Sequence, residues 1–256
     1  MLLRSISKHV KDQNWFAVGL DFLIVVVGVF VGLQVSNWNS VQTDRDVAQD
    51  YLDRIQEELS VTIKNTPAEI EYTAWIKEAA IRALDSLGAD TDNLGERFIV
   101  DAYVAGHGAI KTVQSETINE LLSVGALSKI SDTGLRQRIL RHFQYLGGAD
   151  LETTDKTTYQ VDLRRAMPHA VLVLLRAKCS SETQVDKFGF QTFVWPEPYD
   201  PELTDKQILK TLTSLIQADL KSSLRQSVAD LGSKHNVRQD IIAKSQTLYD
   251  FLQRHR

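Results

Sequence analysis

Histidine, cysteine and serine are the residues that could supply metal, acid–base or nucleophilic chemistry here, and their spacing matches no known motif. The six histidines stand at positions 9, 107, 142, 169, 235 and 255, with no HExxH and no His-x-His pair. The single cysteine, Cys179, lies beside no histidine motif, and GxSxG, P-loop and GxGxxG patterns are absent. We therefore predict no metal site and no cofactor, and we assign no catalytic residue.

Two local features could still form a binding site. The loop Gly106-His107-Gly108 could hold a titratable ring over a pocket, or His107 could be only a loop residue. Farther along, residues 180–205 form a segment rich in proline and aromatic residues, which we call the strap. Its aromatic side chains could contact a partner protein, or they could pin the strap to the core. They are Phe188, Phe190, Phe193, Trp195 and Tyr199.

Composition indicates a folded chain and argues against a nucleic-acid binder. Of the 256 residues, 43% are hydrophobic, which is enough for a substantial core. The net charge is −4, but Arg4, Lys8 and Lys11 against Asp12 give the first fifteen residues +2 and leave −6 for the rest. No concentrated basic face is visible, so we expect no nucleic acid as a partner. One cysteine permits no intramolecular disulfide and leaves the compartment open.

The run from Phe16 to Val35 predicts a membrane-spanning helix. Its 20 residues would span ~30 Å as a helix, which is the thickness of the hydrocarbon core of a bilayer. Fourteen of them are Leu, Ile, Val or Phe, and their summed insertion free energy outweighs the cost of at most ~3 kcal/mol for Asp21. Trp15 and Trp38 flank the run at a spacing suited to the two interfacial belts. We predict an uncleaved anchor over residues 16–38, because a signal peptide has an apolar run of only ~7–15 residues.

The distribution of basic residues predicts the orientation of this anchor. Three basic residues precede it, whereas Arg45 stands alone in the fifteen or so residues after it. By the positive-inside rule, residues 1–15 form a cytoplasmic tail and residues 39–256 form an extracytoplasmic domain.

One face of the predicted anchor could mediate association between helices. At 100° per residue, Asp21, Val25, Gly28 and Gly32 lie on a single narrow stripe. Small residues four apart allow close helix approach, and an acid within a membrane is a candidate functional group, so a homo-oligomer could form here. Alternatively, Asp21 is hydrated near the headgroups and the glycines reflect ordinary membrane composition.

Beyond the anchor, the hydrophobic period predicts an all-α bundle with the strap as its irregular segment. Leu52, Ile55, Leu59 and Ile63 recur three and four apart, which is typical of a juxtamembrane helix continuing the anchor. We expect Pro67 to interrupt this helix. Further helices are expected at 68–87, at 94–105 and from Ser115 to 122. Ser131 and Asp132 can start the next, which has its buried stripe between 135 and 143. The last are expected at 151–178 with a kink at Pro168, at 205–217, and at 219–254 with a break near Gly232.

Two segments of the chain are similar to a known group of sequences. FLIVVVGVFVGLQVSNWN followed by QTDRDVAQDYLDRIQEEL resembles the N-terminal signature of uncharacterised bacterial single-pass membrane proteins that share a domain of unknown function. Their anchor pairs an early acid with an LQ and NWN ending. SETINELLSVGALSKISDTGLRQRIL resembles their mid-chain pattern, with a turn at Gly125. Asp21 stands where many relatives have Glu, and Gly32 where many have Ala. The resemblance implies a bacterial inner-membrane protein with a periplasmic domain, and it implies no activity.

Three functions are consistent with these features. The first is an envelope interaction or scaffold module with an unknown envelope protein as its partner. The second is a periplasmic ligand-binding or sensory module, which would need a separate signalling partner because the cytoplasmic tail is too short for an output domain. The third is an enzyme with an unrecognised site. A pocket with converging polar groups would favour ligand binding or catalysis, whereas a flat apolar patch at the strap would favour a protein partner.

Overall fold

The computed structural model describes residues 15–89, 94–108, 115–187, 190–194 and 200–254, which fold as a helical bundle with one short hairpin. The first helix, α1, runs over Trp15–Gly88. Its N-terminal part is apolar, exposed and long enough to cross a membrane, which fits the predicted single-pass anchor. The remainder of α1 forms the central helix of the bundle.

The prediction that Pro67 ends this helix was wrong, because α1 continues through it. Proline removes one backbone hydrogen bond and crowds the preceding turn. Pro67 lies on the exposed side of α1, where water can hydrate the freed carbonyl. The neighbouring Asn65, Thr66 and Glu69 are buried, so packing of the opposite side holds the helix together.

The last helix, α8, covers Lys221–Arg254 and runs antiparallel to α1. Lys221 Nζ donates to the Leu87 carbonyl over 3.4 Å, and Arg238 Nε donates to Glu69 Oε2 over 3.1 Å, which sets the register of the two helices. The expected break near Gly232 does not occur. A Cβ at Gly232 would lie 3.5 Å from Lys77 Nζ, so this glycine lies close to α1 within an unbroken helix.

Two hydrophobic cores form along the α1 and α8 pair, with a buried polar layer between them. The proximal core, nearer the anchor, contains Ala48, Ile55 and Leu59 of α1, and the distal core contains Ile76 and Ala80. The buried polar layer comprises Thr62, Asn65, Thr66, Glu69 and Thr73 of α1 with Lys234 and Arg238 of α8.

Short helices pack around this pair. They are α2 at Glu96–Ala105, α3 at Glu116–Ser123, a 3₁₀ turn at Ala126–Lys129, α4 at Thr133–Thr154, α5 at Thr158–Ala166 and α6 at His169–Lys178. Gly125 precedes the 3₁₀ turn with φ 69°, and the Asp132 side chain caps α4 by accepting from the Leu135 amide.

The single helix expected over 151–178 is instead the end of α4 followed by α5 and α6. Thr157 and Gln160 form a reciprocal capping box that starts α5 as a new helix. Pro168 disfavours helical dihedrals at the residue before it, and Met167 is extended at φ −74° and ψ 124°. Proline therefore separates two helices here and does not kink one.

The strap contains a short antiparallel hairpin of β1, Glu182–Val185, and β2, Gln191–Val194. Its register pairs Glu182 with Val194 and Val185 with Gln191. The Gln191 amide donates to Asn65 Oδ1 over 3.1 Å, which fastens the hairpin to α1. After the strap, α7 covers Asp205–Gln217 and begins with a capping box of Thr204 and Gln207.

Candidate functional site

An open cleft of about 840 Å³ lies where the end of α2, α5, α6 and the start of the hairpin meet Tyr72 of α1. This volume is within the range of roughly 300–1,000 Å³ typical of small-molecule sites. The apolar part of its wall comes from Leu163, Leu172 and Val173. The polar side chains that line it are Tyr72, Tyr103, His107, Arg164, His169, Arg176, Ser180, Ser181, Glu182 and Thr183.

The loop after α2 brings His107 to the cleft through a close contact at Gly106. A Cβ at Gly106 would lie 2.4 Å from Leu163 Cδ2 and 3.2 Å from the Tyr103 carbonyl, so only glycine fits without a shift. Gln160 of α5 donates from Nε2 to the His107 carbonyl over 2.6 Å. The loop and α5 are thus held together as one wall of the cleft.

The His107 ring is fixed in one orientation and is neutral at pH 7. Its Nδ1 lies 3.0 Å from the Val104 carbonyl, which can only accept, so Nδ1 carries the proton. The ring packs against Tyr103 and Trp75, with centroid distances of 4.8 and 5.6 Å. Burial lowers the pKa of His107, and the nearby Arg164 lowers it further. Nε2 of the neutral ring is therefore a hydrogen-bond acceptor.

Two tyrosine–serine pairs join α2 and α1 to the segment that enters the hairpin. The Tyr103 hydroxyl lies 2.8 Å from Ser180 Oγ, and the Tyr72 hydroxyl is hydrogen-bonded to Ser181. Burial raises the pKa of both tyrosines, so each phenol stays protonated and can donate. These hydroxyls are polar groups already held in place before any ligand enters.

Cationic side chains dominate the charge of the cleft. Arg164 and Arg176 line it together with one carboxylate, Glu182. Both guanidinium groups act on the Tyr103 hydroxyl and lower its pKa, against the larger effect of burial. The two arginines lie on different helices, α5 and α6, and both line the cleft. Guanidinium groups favour carboxylate and phosphate ligands because they donate two parallel hydrogen bonds.

The described residues offer binding groups in the cleft and no catalytic dyad. The hydroxyls of Ser180 and Ser181 are bonded to tyrosines and not to a histidine. A serine–histidine contact does exist elsewhere, at 3.5 Å between Ser245 Oγ and His142 Nε2. Both of these side chains are buried between α4 and α8, out of reach of a substrate. Within the described ranges, no group of three or more His, Cys, Asp or Glu side chains is placed to hold a metal ion.

His107 also connects the cleft to the buried polar layer. A small cavity of about 10 Å³ lies behind it, lined by Thr73, Gln160, Lys234 and Arg238 among others. This is about the space that one water molecule occupies. His107 therefore borders both the cleft and the polar contact between α1 and α8.

The residues predicted to mediate helix association are exposed along the anchor. Asp21, Val25, Gly28 and Gly32 form an exposed stripe, and a Cβ at either glycine would meet nothing within 4 Å. Trp38 is exposed at the end of the span, and the Trp15 side chain lies outside the described part of the chain. The stripe therefore makes no contact with the other described parts of the chain.

The described aromatic residues of the strap pack against α1. The Phe193 ring stacks on Tyr72 with centroids 4.8 Å apart, and Lys64 Nζ lies 4.4 Å from the centre of the Phe190 ring. Both phenylalanines are half-buried. Phe188, Trp195 and Tyr199 lie outside the described residues.

Comparison of the chain with models of known protein families, with characterised proteins and with solved structures gives no match. The geometry of the cleft is therefore the basis for a functional interpretation.

Sequence reasoning found His107 but missed its neighbours in the cleft. Arg164 and Arg176 are exposed residues near the ends of two helices, a pattern that also describes ordinary solvated arginines. Tyr72 lies about 30 residues from Tyr103 and roughly 110 from Ser181 along the sequence, so only the tertiary fold brings them together.

Proposed function

We propose that this chain is a membrane-anchored domain that binds a small anionic molecule in the cleft. The observation that carries the proposal is that Arg164 and Arg176, from two different helices, both line a cleft with partly apolar walls. Two guanidinium groups and two ordered phenols supply hydrogen-bond donors, and Nε2 of the neutral His107 ring is an acceptor beside them. A carboxylate or phosphate group would satisfy these donors better than a neutral molecule.

The strap supports ligand binding over the scaffold interpretation. Among the strap aromatic residues that the structure describes, Phe190 and Phe193 are half-buried against Lys64 and Tyr72 of α1, so these two do not form a flat exposed patch. Phe193 supports the Tyr72 ring, whose hydroxyl bonds to Ser181 at the cleft. In this proposal the strap shapes the ligand site, and an envelope protein partner would bind elsewhere.

The proposal places the domain in the periplasm of a bacterial cell, with residues 1–15 in the cytoplasm and the anchor in the inner membrane. Support comes from the apolar N-terminal part of α1 and the basic residues before it. It also draws on the resemblance to the single-pass membrane family. Because α1 runs from the anchor to Tyr72 without a break, ligand binding would act directly on the helix that enters the bilayer.

Native mass spectrometry of the full-length protein, purified gently from its own membranes, tests the proposal. The intact protein should carry a bound small molecule whose release in negative-ion mode identifies an acid. Arg164→Gln and Arg176→Gln should each reduce occupancy by about 10-fold or more, because a hydrogen bond to a charged group contributes roughly 1.5–3 kcal/mol.

Arg165→Gln is the matched control. Arg165 is next to Arg164 on α5, is largely exposed, and pairs with Asp162 within its own helix. Its substitution should leave the bound molecule in place. Equal loss of the adduct in the Arg164 and Arg165 variants would contradict the proposal, as would the release of a neutral or cationic compound.

A further inference from the structure

A small polar cavity lies where α5, α8 and the His107 loop meet α1. Its volume of about 10 Å³ is about what a single water molecule needs. Seven of the nine residues that line it are polar, and the two apolar residues are Ile76 and Leu231. The lining residues on α1 and α8 are all buried. Apolar cavities stay dry, whereas polar groups enclosed in this way need hydrogen-bond partners.

Three side chains of α8 that line the cavity have unused hydrogen-bonding capacity. Ser227 is 2% exposed, and its hydroxyl makes no hydrogen bond within the described part of the chain. Lys234 Nζ donates to one carbonyl, that of Asp155, over 2.7 Å, although an ammonium group carries three N–H groups. Arg238 donates from Nε to Glu69 and from Nη1 to the Lys234 carbonyl. Three of its five N–H groups remain for other partners.

Thr73 of α1 adds an acceptor to the lining of the cavity. Its hydroxyl donates to the Glu69 carbonyl over 2.7 Å, so the lone pairs of its oxygen remain for a further bond. A water molecule in the cavity would accept from the cations of α8 and donate to the hydroxyl oxygens of Thr73 and Ser227. Buried waters typically make about three such hydrogen bonds. The cavity thus offers both the space and the partners that a buried water requires.

We infer that one water molecule binds in this cavity and bridges the Ser227 hydroxyl and the two cations of α8 to Thr73 of α1. This site is separate from the cleft and does not depend on what the cleft binds. Water fits better than an anion because the space suits the smaller molecule and because Glu69 already pairs with Arg238. One water compensates only part of the desolvation of two buried cations, so the Glu69 carboxylate is still needed.

The sign of the stability change in Ser227→Ala tests this site. If the hydroxyl bonds to a buried water, its removal should lower the melting temperature of the detergent-solubilised full chain by about 2–4 °C, the equivalent of one hydrogen bond. If the hydroxyl has no partner, the same change should raise the melting temperature, because it removes an unpaired polar group and alanine has the higher helix propensity. An unchanged or higher melting temperature would therefore overturn the inference.

Thr211→Val is the matched control. Thr211 on α7 is fully buried, and its hydroxyl oxygen is closed off from water and has no hydrogen-bond partner among the described residues. Valine has nearly the same shape, so the melting temperature should stay unchanged or rise. A loss in Thr211→Val equal to that in Ser227→Ala would mean that the assay responds to the removal of any buried hydroxyl, and this result would also overturn the inference.

Hydroxyl-radical footprinting of the same preparation detects the water directly. X-ray radiolysis converts a bound water into a radical at its site, and the radical oxidises the nearest side chains even when they are buried. Ile76 lines the cavity, whereas Ile99 of α2 is equally buried and lines neither the cavity nor the cleft. Ile76 should be oxidised several-fold faster than Ile99, and Ser227→Ala should reduce this difference.

Two further results would contradict the bound water. The first is equal oxidation of Ile76 and Ile99 in the unmodified protein, which would mean that the cavity is dry. The second is a melting temperature that is higher in chloride than in gluconate at equal ionic strength, with no such difference in Ser227→Ala. This second result would identify a small anion as the occupant of the cavity and overturn the inference.

Discussion

Removal of the Glu69 carboxylate should strongly destabilise the bundle. Glu69 and Arg238 are 5% and 1% exposed, and Arg238 Nε lies 3.1 Å from Glu69 Oε2. In Glu69→Ala the guanidinium would keep a long hydrogen bond of 3.4 Å to the Lys234 carbonyl. The Lys234 ammonium is buried close by, and both burial and Arg238 lower its pKa. Two cations would then share the buried polar layer without their carboxylate.

The cost follows from the desolvation of the remaining charge. Removing one partner of a buried ion pair costs about 3–5 kcal/mol, mostly because the other charge stays buried. For a domain of this size, each kcal/mol lowers the melting temperature by about 2–4 °C, so the expected drop is about 6–20 °C. Glu69→Leu combined with Arg238→Met should be much closer to the unmodified protein, because no unpaired charge remains.

The assay is thermal unfolding of the detergent-solubilised full chain, followed by circular dichroism at pH 8. This pH lies above the pKa of Glu69, which burial raises to about 7 despite the attraction of Arg238. Asp50→Ala is the control: Asp50 pairs with Arg54 at 4.0 Å on an exposed part of the same helix. Its loss should cost less than about 1 kcal/mol.

Two results would refute this reasoning. The first is a Glu69→Ala drop no larger than that of Asp50→Ala, which would mean that water reaches Arg238. The second is a double variant whose loss in free energy of unfolding equals the sum of the losses in its two single variants. The proposed penalty arises only when one charge is left without the other, so the double variant should lose much less than that sum.

Three further predictions concern single positions. Burial lowers the pKa of His142 from 6.5 to about 4, so the stability it contributes is present above pH 6.5 and is lost as the pH falls towards 4. Between pH 6.5 and pH 4, the free energy of unfolding should therefore fall by about 3 kcal/mol less in His142→Phe than in the unmodified protein. Urea titrations at both pH values would show this difference. Gly106→Ala should destabilise by about 1–3 kcal/mol and reduce the bound mass in native spectra, whereas Gly108→Ala, whose Cβ would lie 3.6 Å from Gln160 Nε2, should do neither. Pro67→Ala should stabilise α1 by about 2 kcal/mol, since it removes a ~3 kcal/mol helix penalty and adds up to ~1 kcal/mol of chain entropy to the unfolded state; a lower melting temperature would contradict this.

Features set by neighbouring residues could be predicted from the sequence. The apolar run at 16–35 and the α7 boundaries at Asp205 and Gln217 appear in the structure where they were expected, and α4 is capped by Asp132, one of the two residues expected to start it. Each depends on interactions within a few residues, such as a side chain capping an amide three positions on.

Features set by competition between local and distant contacts could not be predicted. Pro67 is locally a helix breaker, yet packing of its buried neighbours against α8 keeps α1 continuous. Thr157 looked like an interior helix position, but its capping box with Gln160 starts a new helix whose Gln160 side chain also holds the His107 loop. The hairpin in the strap forms where the Gln191 amide meets Asn65, 126 residues away in the chain.

The sequence by itself determined that this protein is helical and that its N-terminal helix is apolar and long enough to enter a membrane, because hydrophobic period and run length are local properties. It also singled out His107. Only the tertiary structure decided that His107 borders a cleft with Arg164, Arg176 and two ordered tyrosines, and that a buried ion pair lies behind it. Side chains from five separate segments build this site, and their convergence depends on how α2, α5, α6 and the hairpin are arranged around α1, which no spacing along the chain encodes.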